Sequence, residues 1–119
     1  MYKTVLIADD SRFTRNLLKK LLTDNGYQVV AEASDGSNAV SLYQEKTPDI
    51  VILDLIMPIM NGLDALKSIL KFDPEAKVII CSSMGQKSFI IDALQIGAKD
   101  FIIKPYLNEL IPALNKLFR

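Results

Sequence analysis

The chain has 119 residues, half of them hydrophobic and 24% charged, with only five glycines and five prolines; this is the size and make-up of one packed domain, and it excludes a second core or a disordered, low-complexity tract. Fourteen basic residues balance fourteen acidic ones, so neither nucleic acid nor an anionic membrane is indicated as a partner. With no histidine and a single cysteine, Cys81, histidine-dependent triads, His or Cys metal clusters, CxxC redox pairs and an internal disulfide are ruled out.

In chain order, the first apolar run, Val5 to Ala8, meets Asp9 and Asp10 before it reaches signal-peptide length, and nothing later approaches the ~20 residues of a membrane span. A soluble protein of the reducing cytoplasm is expected. The run has the length and β-branched content of a strand buried on both faces. Helical spacing follows at Phe13, Leu17, Leu18, Leu21 and Leu22, ended by Asn25-Gly26. Tyr27 to Ala33 alternates, with Val29, Ala31 and Ala33 on one side and Gln28 and Glu32 on the other, which predicts a strand at the sheet margin.

A second helix is read at Ala39, Val40 and Tyr43, stopped by Thr47-Pro48 ahead of a buried strand, Ile50 to Leu53. Ala65, Leu66, Ile69 and Leu70 give a third helix, and Asp73-Pro74 breaks the chain before the strand Val78 to Cys81. In the fourth helix, Lys87 to Ile96, the residues Phe89, Ile90, Ile91, Ala93, Leu94 and Ile96 spread over about 220°, wider than the roughly 100° a sheet-facing stripe needs. Either loops and neighbours bury the surplus or a partner docks there. Gly97 ends that helix, Phe101 to Ile103 forms the last strand, and Leu110, Ile111, Leu114, Leu117 and Phe118 mark the last helix. Pro112 is expected to distort its first turn. Five strand-then-helix repeats with right-handed crossovers give an α/β fold with a doubly wound, five-stranded parallel sheet and five helices.

Asp9 and Asp10 follow strand one, Asp54 strand three, Ser82 strand four and Lys104 strand five. These carboxyl ends converge on the crevice where open α/β sheets bind ligands. Two carboxylates about 5 Å apart repel by on the order of 3 kcal/mol at an effective dielectric near 20, so three in one pocket hold a proton or recruit a cation. Mg²⁺ suits such oxygen donors and leaves positions free for a phosphoryl oxygen. Lys104 and Ser82 can serve the remaining phosphoryl oxygens, a set suited to phosphoryl transfer onto a carboxylate.

The stretches Ala8-Asp9-Asp10-Ser11, Leu53-Asp54-Leu55-Ile56-Met57-Pro58-Ile59-Met60-Asn61-Gly62, Cys81-Ser82-Ser83-Met84-Gly85 and Gly97-Ala98-Lys99-Asp100-Phe101-Ile102-Ile103-Lys104-Pro105 resemble the receiver domains of bacterial two-component response regulators. The likeness covers the whole chain, residues 1–119 as one receiver domain, and is greatest to the stand-alone chemotaxis members. It implies the flavodoxin-like strand order 2-1-3-4-5, which the handedness rules alone do not give. It further implies that Asp54 accepts a phosphoryl group from the phosphohistidine of a sensor histidine kinase. By the same likeness, Asp10, Asp54 and the backbone carbonyl of Ile56 would ligate Mg²⁺, and Asp9 would hold a metal-bound water. Lys104 would pair with Asp54 and then with the phosphoryl group, its bond to Pro105 being cis. Ser82 would donate to a phosphoryl oxygen, and Phe101 would act as the aromatic switch.

Output would pass through the face of helix four, strand five and helix five to a flagellar motor switch protein, with a dedicated phosphatase as a further partner. The molecule would be a monomer and no enzyme beyond its own phosphorylation and dephosphorylation. Three positions depart from the usual receiver pattern or bear on its chemistry. Ser83 replaces a usual alanine, while Ile56 and Met84, two residues beyond Asp54 and Ser82, cannot hydrogen-bond an attacking water, which points to slow self-hydrolysis. The alternatives are a phosphorelay intermediate that passes the group between histidines and, from another class, a flavodoxin-like module binding FMN. Against FMN stands the acidic loop after strand one, where a phosphate cradle would be needed. A haloacid-dehalogenase-type phosphatase would carry a second acid where Ile56 stands.

Overall fold

The four apolar runs and the alternating one form a single parallel sheet in the order β2-β1-β3-β4-β5, in a computed structural model that describes residues 2–118. The strands are β1 (Lys3–Ala8), β2 (Tyr27–Ala33), β3 (Ile50–Leu53), β4 (Val78–Ser82) and β5 (Asp100–Ile103). The helices are α1 (Arg12–Asp24), α2 (Gly36–Lys46), α3 (Gly62–Phe72), α4 (Lys87–Ile96) and α5 (Leu110–Leu117), the last entered through a short 3-10 turn over Leu107–Glu109. That turn is the distortion expected of Pro112, which cannot donate to the preceding turn. The flavodoxin-like doubly wound architecture is thus present with every strand and helix read from the sequence.

Because strand side chains alternate, the central strands supply two cores. Leu6 and Ala8 face α2, α3 and α4 through Tyr43, Leu66, Ile69 and Ala93. Val5 and Ile7 face α1 and α5 through Leu18, Leu22, Leu110 and Leu114. The starts of α1, α2 and α3 are set by short polar side chains at N-cap positions. Ser11 accepts from the Thr14 N–H, Asp35 from that of Asn38 and Asn61 from that of Asp64.

Three expectations are corrected. The single alternation of β2 does not hold along its length, since β1 pairs Val5 with Val29 but Leu6 with Ala31, leaving Val30 as a bulge. The extra residue turns the strand over, so Val29 joins the α1 side while Ala31 and Ala33 join the α2 side, and Glu32 meets Arg15 and Lys19 of α1. In α1 only Leu18 and Leu22 are buried, with Leu21 packed beside them, and Phe13 and Leu17 are exposed. They lie on an adjacent stripe that the sheet does not reach. Ser82 belongs to β4 itself, paired with Ile103, instead of following the strand.

Along α4, Ala93 is buried and Phe89 and Ile96 pack against the core on that side of the sheet, but Ile91 and Leu94 stay 42% and 45% exposed. Neither loops nor neighbouring helices cover that surplus. The helix therefore presents apolar surface outward beside β5, which is the second edge of the sheet.

The loop from β3 to α3 is tightly drawn. A Cβ on Gly62 would lie 2.0 Å from the carbonyl oxygen of Asp54, a separation no side chain tolerates, so α3 starts against the backbone of that aspartate only because residue 62 is glycine. Within the loop Ile59 adopts φ +70°, and the Met60 N–H donates to the Pro58 carbonyl at 2.7 Å. A left-handed conformation at a β-branched residue is strained. Ile59→Gly should relieve that strain at a site where the side chain is 83% exposed and packs little. Net of glycine's greater chain entropy, a gain of about 1 kcal/mol in denaturant unfolding is expected; a loss would mean the isoleucine makes compensating contacts.

Candidate functional site

Asp9, Asp54 and Lys104 each stand one residue past a strand, yet each backbone N–H still extends the ladder. Asp9 donates to the Ala33 carbonyl, Asp54 to that of Ala8 and Lys104 to that of Ser82, at 3.0, 2.9 and 2.9 Å. The sheet thereby fixes the origin of all three side chains at its carboxyl edge. Oxygens of Asp9, Asp10 and Asp54 lie within 4.8 Å of one another. Asp9 and Asp54 are buried, at 2% and 7% exposure, while Asp10 faces solvent.

Lys104 reaches the cluster from the end of β5. Its Nζ lies 2.7 Å from Asp9 Oδ2 and 3.3 Å from Asp54 Oδ2, and its peptide bond to Pro105 is cis, as the resemblance to receiver domains implied. The sequence reading paired this lysine with Asp54; the structure adds Asp9 as its nearer partner. The side chain of Asp9 is further held by the Ser11 N–H, which donates to Oδ1 at 2.9 Å.

Burial raises the pKa of Asp54 above the usual carboxylate value; Lys104 opposes the rise and the neighbouring Asp9 reinforces it. Lys104 pays a desolvation penalty of its own, but its bond to Asp9 and the charge of Asp54 outweigh it and hold the ammonium protonated above its ordinary range. Two negative charges with one positive charge between them still leave the site short of a cation once Asp10 is counted. The donors are all hard oxygens, converge within one small space and include one solvent-open member, which fits a hydrated divalent ion such as Mg²⁺.

Of the remaining expected residues, Ser82 is fully buried and its Oγ accepts from the Met84 N–H at 3.2 Å. Phe101 is half-buried on the α2–α4 side of the sheet, next to Ile80 of β4. Ile56 lies two residues past Asp54 with its side chain 56% exposed; Met84 is half-buried against the core, and Ser83 is exposed. Asp9, Asp10, Asp54 and Lys104 therefore meet at one point, with Ser82 beside them at the end of β4, whereas Phe101 belongs to the flank of the sheet. Cys81, one residue before Ser82, is inert, since burial pushes its thiol up to about 12.

The sequence reading missed Arg15. Its Nη1 donates to the Asp9 carbonyl oxygen at 2.7 Å and its Nε pairs with Glu32 at 3.2 Å. A basic residue one turn into a helix that follows an acidic pair, opposite an acidic residue near the end of the next strand, was the available signal.

A buried carboxylate whose pKa is raised by folding opposes the folded state when ionised. That cost is absent below the ordinary carboxylate range and grows as pH rises through it toward the raised value. Asp54→Asn, which keeps the shape and drops the charge, is therefore expected to raise the melting temperature of metal-free protein by a few degrees at pH 7. The gain should vanish below about pH 3.5. An equal or lower melting temperature at pH 7 would show that the pairing with Lys104 outweighs desolvation.

Comparison with known proteins agrees with this geometry. Residues 5–115 match the family described as "Response regulator receiver domain". The chemotaxis protein CheY of Thermotoga maritima is 52% identical over 118 residues, 98% of each chain, and CheY of Bacillus subtilis is 49% identical over 117 residues, again 98% of each. Among solved structures, CheY from a CheX–CheY–BeF3–Mg²⁺ complex of Borrelia burgdorferi superposes with a TM-score of 0.95 at 38% identity, covering 98% of this chain and 90% of that one. An FMN module loses its ground, because the crevice a flavin phosphate would use is lined by three carboxylates. With a five-stranded 2-1-3-4-5 sheet, an acidic cluster at its carboxyl edge and a lysine inserted into that cluster, the chain belongs to the response regulator receiver family and is CheY-like within it.

Proposed function

We propose that this protein is a phosphorylation switch that takes a phosphoryl group onto Asp54 from the phosphohistidine of a sensor histidine kinase. The observation that carries the reading is Lys104 reaching Asp9 and Asp54 together, at 2.7 and 3.3 Å, inside a pocket of three converging carboxylates. Asp10 and Asp54, with the backbone carbonyl of Ile56, would hold Mg²⁺, and Asp9 would orient a water on it. Bound there, the ion supplies the positive charge that lets an anionic phosphoryl group approach an anionic carboxylate.

The chain's own residues do the rest. An Asp54 carboxylate oxygen attacks phosphorus as the phosphorus–nitrogen bond to the donor imidazole breaks, and the imidazole leaves with that electron pair. Lys104 stabilises charge on the transferring oxygens. The absence of histidine from this chain requires the donor to be a separate group, and the chain is otherwise no enzyme. The phosphoryl group, carrying roughly −1.5 to −2, replaces the single negative charge of the carboxylate and draws Ser82 Oγ away from the Met84 N–H toward a phosphoryl oxygen. Loosening of the stretch after β4 then allows Phe101 to turn inward and changes the face formed by α4, β5 and α5.

That face already exposes Ile91, Leu94 and Tyr106, apolar surface suited to a protein partner. Its named relatives are chemotaxis proteins, which favours a flagellar motor switch protein as the output partner over a phosphorelay histidine. The Borrelia relative was captured with CheX, beryllofluoride and Mg²⁺, which supports a second class of partner, such as a dedicated phosphatase, that engages the activated form. A cytoplasmic monomer is the setting these roles require, and no helix among the described residues is long and apolar enough to cross a membrane.

Acetyl phosphate with Mg²⁺ should add one phosphoryl mass to the intact protein, labile to hydroxylamine, and Asp54→Asn should abolish it. An adduct retained by that variant would move the acceptor elsewhere. A flagellar-switch peptide should bind more tightly with beryllofluoride than without, whereas phosphoryl transfer to a phosphorelay histidine with no such gain would favour the relay. Ile56 and Met84 offer no hydrogen bond to an attacking water, so the acyl phosphate should be long-lived. Met84→Glu, which can orient that water, should shorten its lifetime by about tenfold; an unchanged lifetime would count against this account.

A further inference from the structure

The three carboxylates of the cluster are not equally secured. Asp9 and Asp54 are buried and share Lys104. Asp10 is exposed, and its carboxylate depends for its position on the backbone that carries it.

That backbone is held by Arg15. Its side chain is 16% exposed, and the guanidinium donates from Nη1 to the Asp9 carbonyl oxygen at 2.7 Å and from Nε to Glu32 Oε1 at 3.2 Å. Glu32 is itself fixed by Lys19 at 2.6 Å. The carbonyl that Arg15 grips belongs to the peptide unit joining Asp9 to Asp10. Since a peptide unit is planar, fixing the direction of its C=O fixes its N–H and the line to the Asp10 Cα. The Asp9 N–H is already held by the Ala33 carbonyl at 3.0 Å. What remains free for Asp10 is its own φ and its side chain.

We propose that Arg15 is a positioning residue of the metal site, which keeps the Asp10 carboxylate within reach of Asp54 so that a divalent cation meets a preformed set of oxygens. The role presupposes Mg²⁺ at this cluster, as proposed above. A planar fork is needed for it, because one donor must reach the carbonyl while another stays on Glu32. Groups that orient ligands without touching the metal commonly govern affinity as strongly as some ligands do.

Electrostatics makes the test decisive, because the two accounts of Arg15 predict opposite signs. Arg15 is a positive charge near a site for a cation, so acting through charge alone it would weaken binding, and its removal would tighten it. Acting through the Asp9 carbonyl, its removal loosens Asp10 and weakens binding.

The experiment is calorimetric titration of the full-length protein with MgCl₂ at fixed ionic strength, with the fold of each variant checked by circular dichroism. Arg15→Gln is expected to raise the Mg²⁺ dissociation constant by about tenfold. Arg15→Lys keeps the charge but not the fork and should raise it by about threefold, an effect net charge cannot produce. Lys19→Met removes a positive charge from the same group of residues without touching the Asp9 carbonyl, and should leave the constant unchanged or slightly lower. Arg15 variants that bind Mg²⁺ as tightly as the native protein, or more tightly, would overturn the positioning role while leaving the metal site standing. Absence of Mg²⁺ binding by the native protein would overturn the metal site itself, and the role of Arg15 with it.

Discussion

Like charges brought together by folding are the constraint around which this molecule is organised. Three carboxylates share a space less than 5 Å across, and in water such a group would disperse. They stay because two of them sit on backbone that the sheet has already committed: the N–H groups of Asp9 and Asp54 continue the β1–β2 and β1–β3 ladders one step beyond the strands. Ladder hydrogen bonds and the two buried cores hold what electrostatics opposes. Lys104, delivered by β5 on the far side of β4, returns part of the lost interaction by contacting two of the three acids. One ammonium leaves the balance negative, and that residual charge makes the crevice receptive to a hard cation.

The same logic explains why the surroundings are so tightly drawn. Gly62 brings α3 against the Asp54 carbonyl, and Gly36 lets α2 approach the backbone of Met60 in that loop. The β3–α3 loop is thus clamped at both ends, and Ile59 absorbs the resulting geometry in a left-handed conformation. Farther out, Ser82 couples the pocket to the backbone after β4 through the Met84 N–H. On the flank, Phe101 and the outward apolar stripe of α4 lie where a change at β4 would be felt.

Much of this was legible in the chain. Continuous apolar runs mark strands buried on both faces, and their alternation with helical spacing leaves few arrangements other than a doubly wound parallel sheet. The acids, the serine and the lysine could be assigned to one edge because each falls at or just beyond the end of such a run. The resemblance to receiver domains rested on those same residues. What periodicity could not show was the bulge at Val30, because inserting one residue reverses the facing of a strand without altering its apolar composition. Nor could it show that Phe13 and Leu17 are left in solvent, since a stripe one residue over from the buried one has the same spacing. Arg15 escaped notice because its partner is a backbone carbonyl, an atom every residue possesses.

By itself, then, the sequence determined the class of fold, the succession of its elements and the identity of the acidic, hydroxyl and basic groups at the carboxyl edge. Those follow from local rules: burial pattern, capping side chains and turn residues act over a few positions at a time. Only the tertiary structure decided which charges touch. Lys104 and Asp9 are 95 residues apart in the chain, and their contact exists because β5 and β1 lie in one sheet separated by β3 and β4. Tertiary packing likewise decided that the surplus apolar face of α4 stays open and that the Asp9–Asp10 peptide is held by Arg15. Distances between atoms remote in sequence are set by packing, and electrostatics and hydrogen bonding, which depend on those distances, become readable only once the chain has closed on itself.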